Sequence, residues 1–180
     1  MLYYIHGYLS EPNSTKGTLF KEKLNAKAIK YRDCEPEDLV VSECVLRISK
    51  NIENDENAIL IGSSLGGLLA AKTALENSNV KKLILLNPAI IPPYVDINKI
   101  RGMPHEILAE MQDKRLFNEK IASEIFILLG AEDDVVPNKW GQEFAIAQKA
   151  SVKTFQDDHG FSYNINRLPR IITNILYKKH

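Results

Sequence analysis

Two cysteines, Cys34 and Cys44, are all that 180 residues contain. That is too few for a disulfide framework, and their spacing suits neither zinc nor redox chemistry, so both are expected as free thiols. No stretch approaches the roughly 18 to 20 consecutive apolar residues of a membrane span, so no transmembrane segment is expected. Basic excess is missing too: 23 Lys and Arg stand against 23 Asp and Glu. Neutralising nucleic-acid phosphate needs such an excess, so nucleic acid is excluded as a first partner. There is no internal repeat, low-complexity tract or linker. The apolar run Leu2 to Ile5 passes straight into His6-Gly7 with no basic leader or cleavage site, which makes a cytoplasmic protein the expectation.

What remains is a chain of ordinary composition, 44% hydrophobic and long enough to bury a core without disulfides or metals. One domain over residues 1–180 is expected. Short β-rich apolar runs alternate with amphipathic helical stretches, the pattern of a mostly parallel, doubly wound α/β sheet with helices on both faces. Six strands are predicted: Leu2 to His6, Ala28 to Tyr31, Ala58 to Gly62, Lys82 to Leu86, Ile125 to Leu129 and Val152 to Phe155. The third, fourth and fifth are apolar at successive positions, as strands buried on both faces must be.

Helices are predicted over Ser14 to Asn25, Pro36 to about Asn51, Leu68 to Glu76, Trp140 to Lys149 and Leu168 to Tyr177. Proline followed by Glu37 and Asp38 favours the second start, and Ile171, Ile172, Ile175 and Leu176 give the last its core spacing. The interval from Asn87 to Glu124 is far longer than a usual connection. It is read as a small lid over about 88–123, with one helix-like stretch from Pro104 to Phe117 striped by Ile107, Leu108 and Met111.

Chemistry concentrates at the strand ends. Gly62-Ser63-Ser64-Leu65-Gly66 fits G-x-S-x-G between a buried strand and a helix, the setting of a nucleophile elbow. So tight a turn strains the serine backbone and requires glycines two positions either side of Ser64. The other use of a glycine turn, cradling phosphate, calls for G-x-x-x-x-G-K-[ST] or G-x-G-x-x-G, and neither is present. Ser63 is the rival hydroxyl and lacks the flanking glycines.

After the fifth strand come Glu132, Asp133 and Asp134, any of which could also be a solvated cap for the next helix. Only one can face a base, because successive residues leaving a strand point opposite ways. Asp133 is favoured, since Val135, Val136 and Pro137 can then pack the loop back while Asp134 meets solvent. After the sixth strand His159 stands in Asp157-Asp158-His159-Gly160-Phe161. Taken alone it would pass for a solvated loop histidine, but the order Ser, acid, His, each after its own strand, is the chain order of α/β hydrolases. Following the first strand, His6-Gly7-Tyr8 lets the backbone turn, so that the amides of Tyr8 and Leu65 can form an oxyanion hole. His6 itself is read as structural.

On these residues the sequence resembles the α/β-hydrolase superfamily. Its small size, the start at Tyr4-Ile5-His6-Gly7-Tyr8, the elbow and the ending Asp158-His159-Gly160-Phe161 are similar to the small YqiA-like esterases within it. The resemblance implies hydrolysis of carboxylic esters or acyl thioesters, and its G-x-x-D pattern over Gly130 to Asp133 assigns the acid to Asp133. Ser64, Asp133 and His159 would then run an acyl-enzyme mechanism that needs no metal or organic cofactor. Ile90, Ile91, Tyr94, Met103 and Met111 are the candidate substrate-binding residues of the lid, or simply its packing. An amidase or peptidase on the same fold, and a non-catalytic hydrolase-like binding protein, are the alternatives.

Overall fold

The structure, a computed structural model, describes residues 1–177. Six strands form one sheet: β1 (Leu2–Ile5), β2 (Lys27–Ala28), β3 (Ala58–Ser63), β4 (Val80–Leu86), β5 (Glu124–Gly130) and β6 (Ser151–Phe155). Their order is β2-β1-β3-β4-β5-β6, and every pair is parallel. Helices α1 (Thr15–Leu24) and α7 (Leu168–Leu176) lie against one face. On the other are α2 (Val41–Asn51), α3 (Leu65–Glu76), α4 (His105–Met111), α5 (Arg115–Asn118) and α6 (Asn138–Gln148). This is the α/β-hydrolase architecture expected of the sequence. No helix among the described residues is long and apolar enough to cross a membrane.

Period-two alternation sorts each central strand between two cores. Tyr3, Ile5, Leu60, Leu83, Leu85, Ile127 and Leu129 join Val45, Ile48, Leu68, Leu69 and Phe144 in one cluster. Tyr4, Ile61, Ile84, Leu86 and Leu128 join Phe20, Leu168 and Ile172 in the other. Leu60 and Ile61 are both fully buried, so truncating either to alanine is expected to cost about 2 to 5 kcal/mol. Pairings of Ile5 with Gly62, Ser63 with Leu86 and Leu86 with Leu128 align the carboxyl ends of four strands. The chain leaves β1 toward β2 and returns on its other side as β3. That reversal opens a crevice at the carboxyl edge, the usual place for a ligand in such sheets.

Several elements differ from the sequence-based expectation. β2 is only Lys27–Ala28, rather than Ala28 to Tyr31. After Ile29 N–H donates to Tyr4 O (2.9 Å) the chain leaves the sheet, because Tyr31 is drawn inward to stack on His6. Pro36–Asp38 is a 3₁₀ turn, and the extended Leu39 and Val40 separate it from α2, which begins at Val41; this break buries Leu39. α3 starts at Leu65, directly after the elbow, and α6 at Asn138. In the long β4–β5 excursion the single predicted helix is two, α4 and α5, divided at Gln112–Lys114. Gln112 Nε2 there donates to Pro92 O (3.0 Å) and Val95 O (2.8 Å) instead of continuing a helix.

Candidate active site

Ser64 occupies the turn between β3 and α3 with φ 55° and ψ −119°, a left-handed conformation that is costly for a residue with a Cβ. The turn is so close that a Cβ on Gly62 would lie 2.3 Å from Gly66 O, and one on Gly66 2.2 Å from Ile5 O. Both glycines are therefore required by contact. Backbone bonds hold the serine in place: its N–H donates to Leu86 O (2.9 Å), and its carbonyl accepts from Gly67 N (2.9 Å) and Ala89 N (3.1 Å). Its hydroxyl caps no helical amide and stands half-exposed in a cavity of about 690 Å³. Ser63 is buried and faces Tyr4, whose hydroxyl is pushed by burial to a pKa of about 12 and stays neutral.

Of the three adjacent acids, Asp133 is the one that meets the histidine. His159 Nδ1 lies 2.9 Å from Asp133 Oδ1 and 2.8 Å from Oδ2. Oδ1 also accepts from the amides of Val135 and Val136, each at 2.9 Å, and the side chain is 1% exposed. A carboxylate held this way places the imidazole proton on Nδ1 and leaves Nε2 as a lone-pair base. Asp134 is exposed, and Glu132 instead takes a hydrogen bond from Gln156 Nε2. Ser64 and His159 line the same cavity, and no hydrogen bond joins their side chains among the described residues. Catalytic contacts of this kind commonly tighten only around substrate.

Two polar residues overlooked in the sequence fix the histidine loop. Asp157 is fully buried and accepts from the amides of Asp158, Tyr163 and Asn164 and from Asn164 Nδ2, at 2.8 to 3.0 Å. Asn87, directly after β4, has φ 43°, a conformation asparagine tolerates better than most residues. Its Nδ2 donates to Asp158 O (3.1 Å) and His159 O (3.0 Å), and its Oδ1 accepts from Gly130 N (2.7 Å). One side chain thus spans the ends of β4 and β5 and the histidine loop. The loop lies so close to β5 that a Cβ on Gly130 would be 2.5 Å from Asp158 O. A polar residue ending the apolar run Leu83 to Leu86, just before Pro88, was the available signal for Asn87.

Behind the β1 turn, Tyr31 Oη sits 3.2 Å from both His6 O and Gly7 O. It accepts from Arg32 Nη1 (3.2 Å), so its own proton is committed to those carbonyls. His6 stacks on Tyr31 with centroids 4.3 Å apart, and its Nδ1 lies 2.9 Å from Gly7 O. Burial lowers the His6 pKa, which keeps the ring neutral with its proton on Nδ1. With the Gly7 carbonyl engaged there, the trans peptide turns the Tyr8 N–H to the opposite side. Tyr8 and Leu65 both line the cavity, and neither backbone amide has an acceptor in the protein among the described residues. Gly7 does not have a positive φ. Its glycine instead keeps clear the space beside Ser64, whose Cβ would lie 3.4 Å from a Cβ at position 7.

Of the apolar residues expected to bind substrate, Ile91, Met103 and Met111 line the cavity, and Ile90 and Tyr94 do not. Ile90 is fully buried in the core. Tyr94 is 64% exposed, and its hydroxyl donates to Glu143 Oε1 (2.9 Å) on the outer surface. Leu108, Val136 and Trp140 also line it. Among the described residues no group of three His, Cys, Asp or Glu could hold a metal ion. Cys34 is exposed and Cys44 buried, both free.

The uncharacterised protein family UPF0227 matches residues 1–175. No curated protein matches the sequence. Among solved structures, Est1E from Butyrivibrio proteoclasticus superposes with a TM-score of 0.79 at 18% identity, over 97% of this chain and 86% of Est1E. Monoacylglycerol lipase from Paleococcus ferrophilus gives 0.73 at 16% identity, over 97% and 93%. The α/β hydrolase domain-containing protein 10 from mouse gives 0.72 at 18%, over 97% and 88%. At these identities the likeness is one of fold.

Proposed function

The chain belongs to the uncharacterised protein family UPF0227, and from that premise we propose that it is a serine hydrolase that cleaves carboxylic esters or acyl thioesters. One observation carries the reading: the contact of His159 Nδ1 with the buried Asp133 carboxylate, in the cavity that holds the strained, half-exposed Ser64. A solvated acidic loop and a solvated histidine have no reason to meet there. The lipase among the structural relatives supports an ester as the bond cleaved.

Ser64 Oγ attacks the acyl carbon as His159 Nε2 takes its proton, and Asp133 holds the tautomer and steadies the imidazolium. The amides of Tyr8 and Leu65 receive the oxyanion, each donor lowering the barrier by about 3 to 4 kcal/mol. His159 then protonates the leaving oxygen or sulfur, and water repeats the cycle on the acyl-enzyme. In this reading the β4–β5 excursion is the lid of a single domain, and its apolar wall receives the acyl chain.

A fluorophosphonate probe tests it. The probe should label wild-type protein on Ser64 and leave folded Ser64→Ala unlabelled, and butyrate esters should turn over faster than the matching amide. A folded wild type that resists the probe would return the chain to a binding role. Faster cleavage of the amide would move it to the amidases.

A further inference from the structure

The residues lining the cavity include two basic side chains, Lys16 and Arg101, and no aspartate or glutamate. An ester needs neither cation for the chemistry above. Lys16 stands in the first turn of α1, half-buried, with no carboxylate within ion-pair distance among the described residues. Both nearby acids already accept hydrogen bonds from the backbone. Asp157 is saturated by four donors, and Asp158 Oδ1 accepts from Ser162 N (2.9 Å). An ammonium partly withdrawn from water without a partner is unfavourable, and burial lowers the pKa of Lys16 even against the field of those two acids.

The position of Lys16 tells which half of a substrate it would meet. It lines the cavity together with Ser14, Gly160 and Ser162, and the acids that act on it are the two residues before His159. His159 must deliver its proton to the leaving group, so the leaving group lies on that side. Ile91, Met103, Leu108, Met111 and Trp140 of the apolar wall belong to the core on the face of the sheet opposite α1.

We propose that Lys16 forms an anion subsite for the leaving group, so that the substrate is an ester or thioester with an apolar acyl half and an alcohol or thiol half bearing a carboxylate or phosphate close to the scissile bond. This rests on the hydrolase reading and narrows its substrate class.

The test compares 4-nitrophenyl butyrate with 5-butyryloxy-2-nitrobenzoate, which places a carboxylate on a similar nitrophenol. A second pair, 2-butyryloxyethanol and 2-butyryloxyethyl phosphate, is followed by titrating released butyrate. Wild type should favour the anionic member of at least one pair by about tenfold in kcat/KM, the value of one charge-assisted hydrogen bond. The pair with the larger ratio identifies the anion. Lys16→Gln should bring the ratio to about one to two and Lys16→Arg should keep most of it. Equal rates in both pairs for wild type, or a ratio unmoved by Lys16→Gln, would overturn the subsite. Loss of the ratio in Arg101→Gln instead would do the same. Binding of the products, 5-hydroxy-2-nitrobenzoate against 4-nitrophenol, needs no turnover and should show the same Lys16-dependent preference. Failure of catalysis is thereby kept distinct from failure of the subsite.

Discussion

The carboxyl edge of the sheet and the β4–β5 excursion enclose the same cavity from two sides, and they are held by different means. At the sheet edge each proposed catalytic group stands on a turn held by hydrogen bonds: Ser64 by Leu86, Gly67 and Ala89, Asp133 by Val135 and Val136, His159 by Asn87. In the excursion, the residues that face the cavity are, apart from Arg101 and Gly102, apolar and interchangeable in kind. The bonds that fix it lie behind them, where Lys72, Gln112 and Gln148 reach backbone carbonyls. Chemistry needs atoms placed to a fraction of an ångström, whereas an apolar wall needs volume. The two regions should therefore respond very differently to substitution.

The sharpest contrast is at the elbow. Ser64→Ala removes the proposed nucleophile from a half-exposed position and is expected to lower turnover of 4-nitrophenyl butyrate by about 10⁴-fold or more, with an unchanged melting curve. Ser63→Ala, one residue away and buried, should cost less than about tenfold in rate. Reversal of the two would shift the elbow by one residue and undo the reading of this edge.

Next comes the acid. Asp133→Asn preserves shape but offers an amide where the histidine needs a carboxylate, and is expected to cost at least about 100-fold in kcat/KM. Asp134→Asn and Glu132→Gln, whose side chains make no bond to His159, should each cost less than about tenfold. A near-normal Asp133→Asn enzyme would mean that the observed contact is not used in turnover.

The same contrast explains what could be read in the residues alone. Ser64 is legible because a tight turn imposes glycines at set distances, Asp133 because it follows the apolar run of β5, and His159 because it completes the order Ser, acid, His after the last strand. Three of the six strands, β3, β4 and β5, are equally plain, because each carries a run of successive apolar residues. β2 was misplaced because only two residues pair at that edge, and the apolar Ile29 and Tyr31 beyond them serve the core instead. The cavity wall was the least legible part. In an irregular segment Ile90 and Ile91 look alike, and only three-dimensional packing sends one to the core and the other to the cavity. Asn87, Asp157 and Lys16 escaped notice since their importance lies in what reaches them from distant segments.

Asn87 is where the precision of the sheet edge can be probed without touching a reacting group. Asn87→Ala unpairs the His159 and Asp158 carbonyls and the Gly130 amide together. Stability should fall by about 1 to 3 kcal/mol, and kcat by about tenfold as the imidazole loses its placement. KM for a small ester should change much less. A kcat that survives while stability drops would make Asn87 purely a structural tie.

The smallest effect on rate is expected from the anchor of the excursion. Asp113 lies between α4 and α5 with its carboxylate 2.8 Å from Lys72 Nζ and 2.7 Å from Arg115 Nη2. Lys72 and Asp113 are each 11% exposed. Burial alone would raise the Asp113 pKa, but the hydrogen bonds from Arg115 and Lys72 outweigh it and hold the carboxyl well below its ordinary range. A carboxylate depressed in the folded state contributes its full stability above its unfolded pKa and loses it as pH falls through the folded value. Asp113→Asn should therefore be less stable than wild type at pH 7 by about 2 kcal/mol, below the full cost of breaking a buried pair because Arg115 is solvent-screened. That gap, measured by urea unfolding, should stay constant down to about pH 4 and shrink steadily below it. Butyrate turnover should change by less than about threefold, since no reacting atom depends on this anchor. A gap that persists unchanged into acid would show that the loss comes from packing, not from the ion pair. A large fall in rate would show that the excursion positions more than an apolar wall, and the contrast between the two sides of the cavity would fail there.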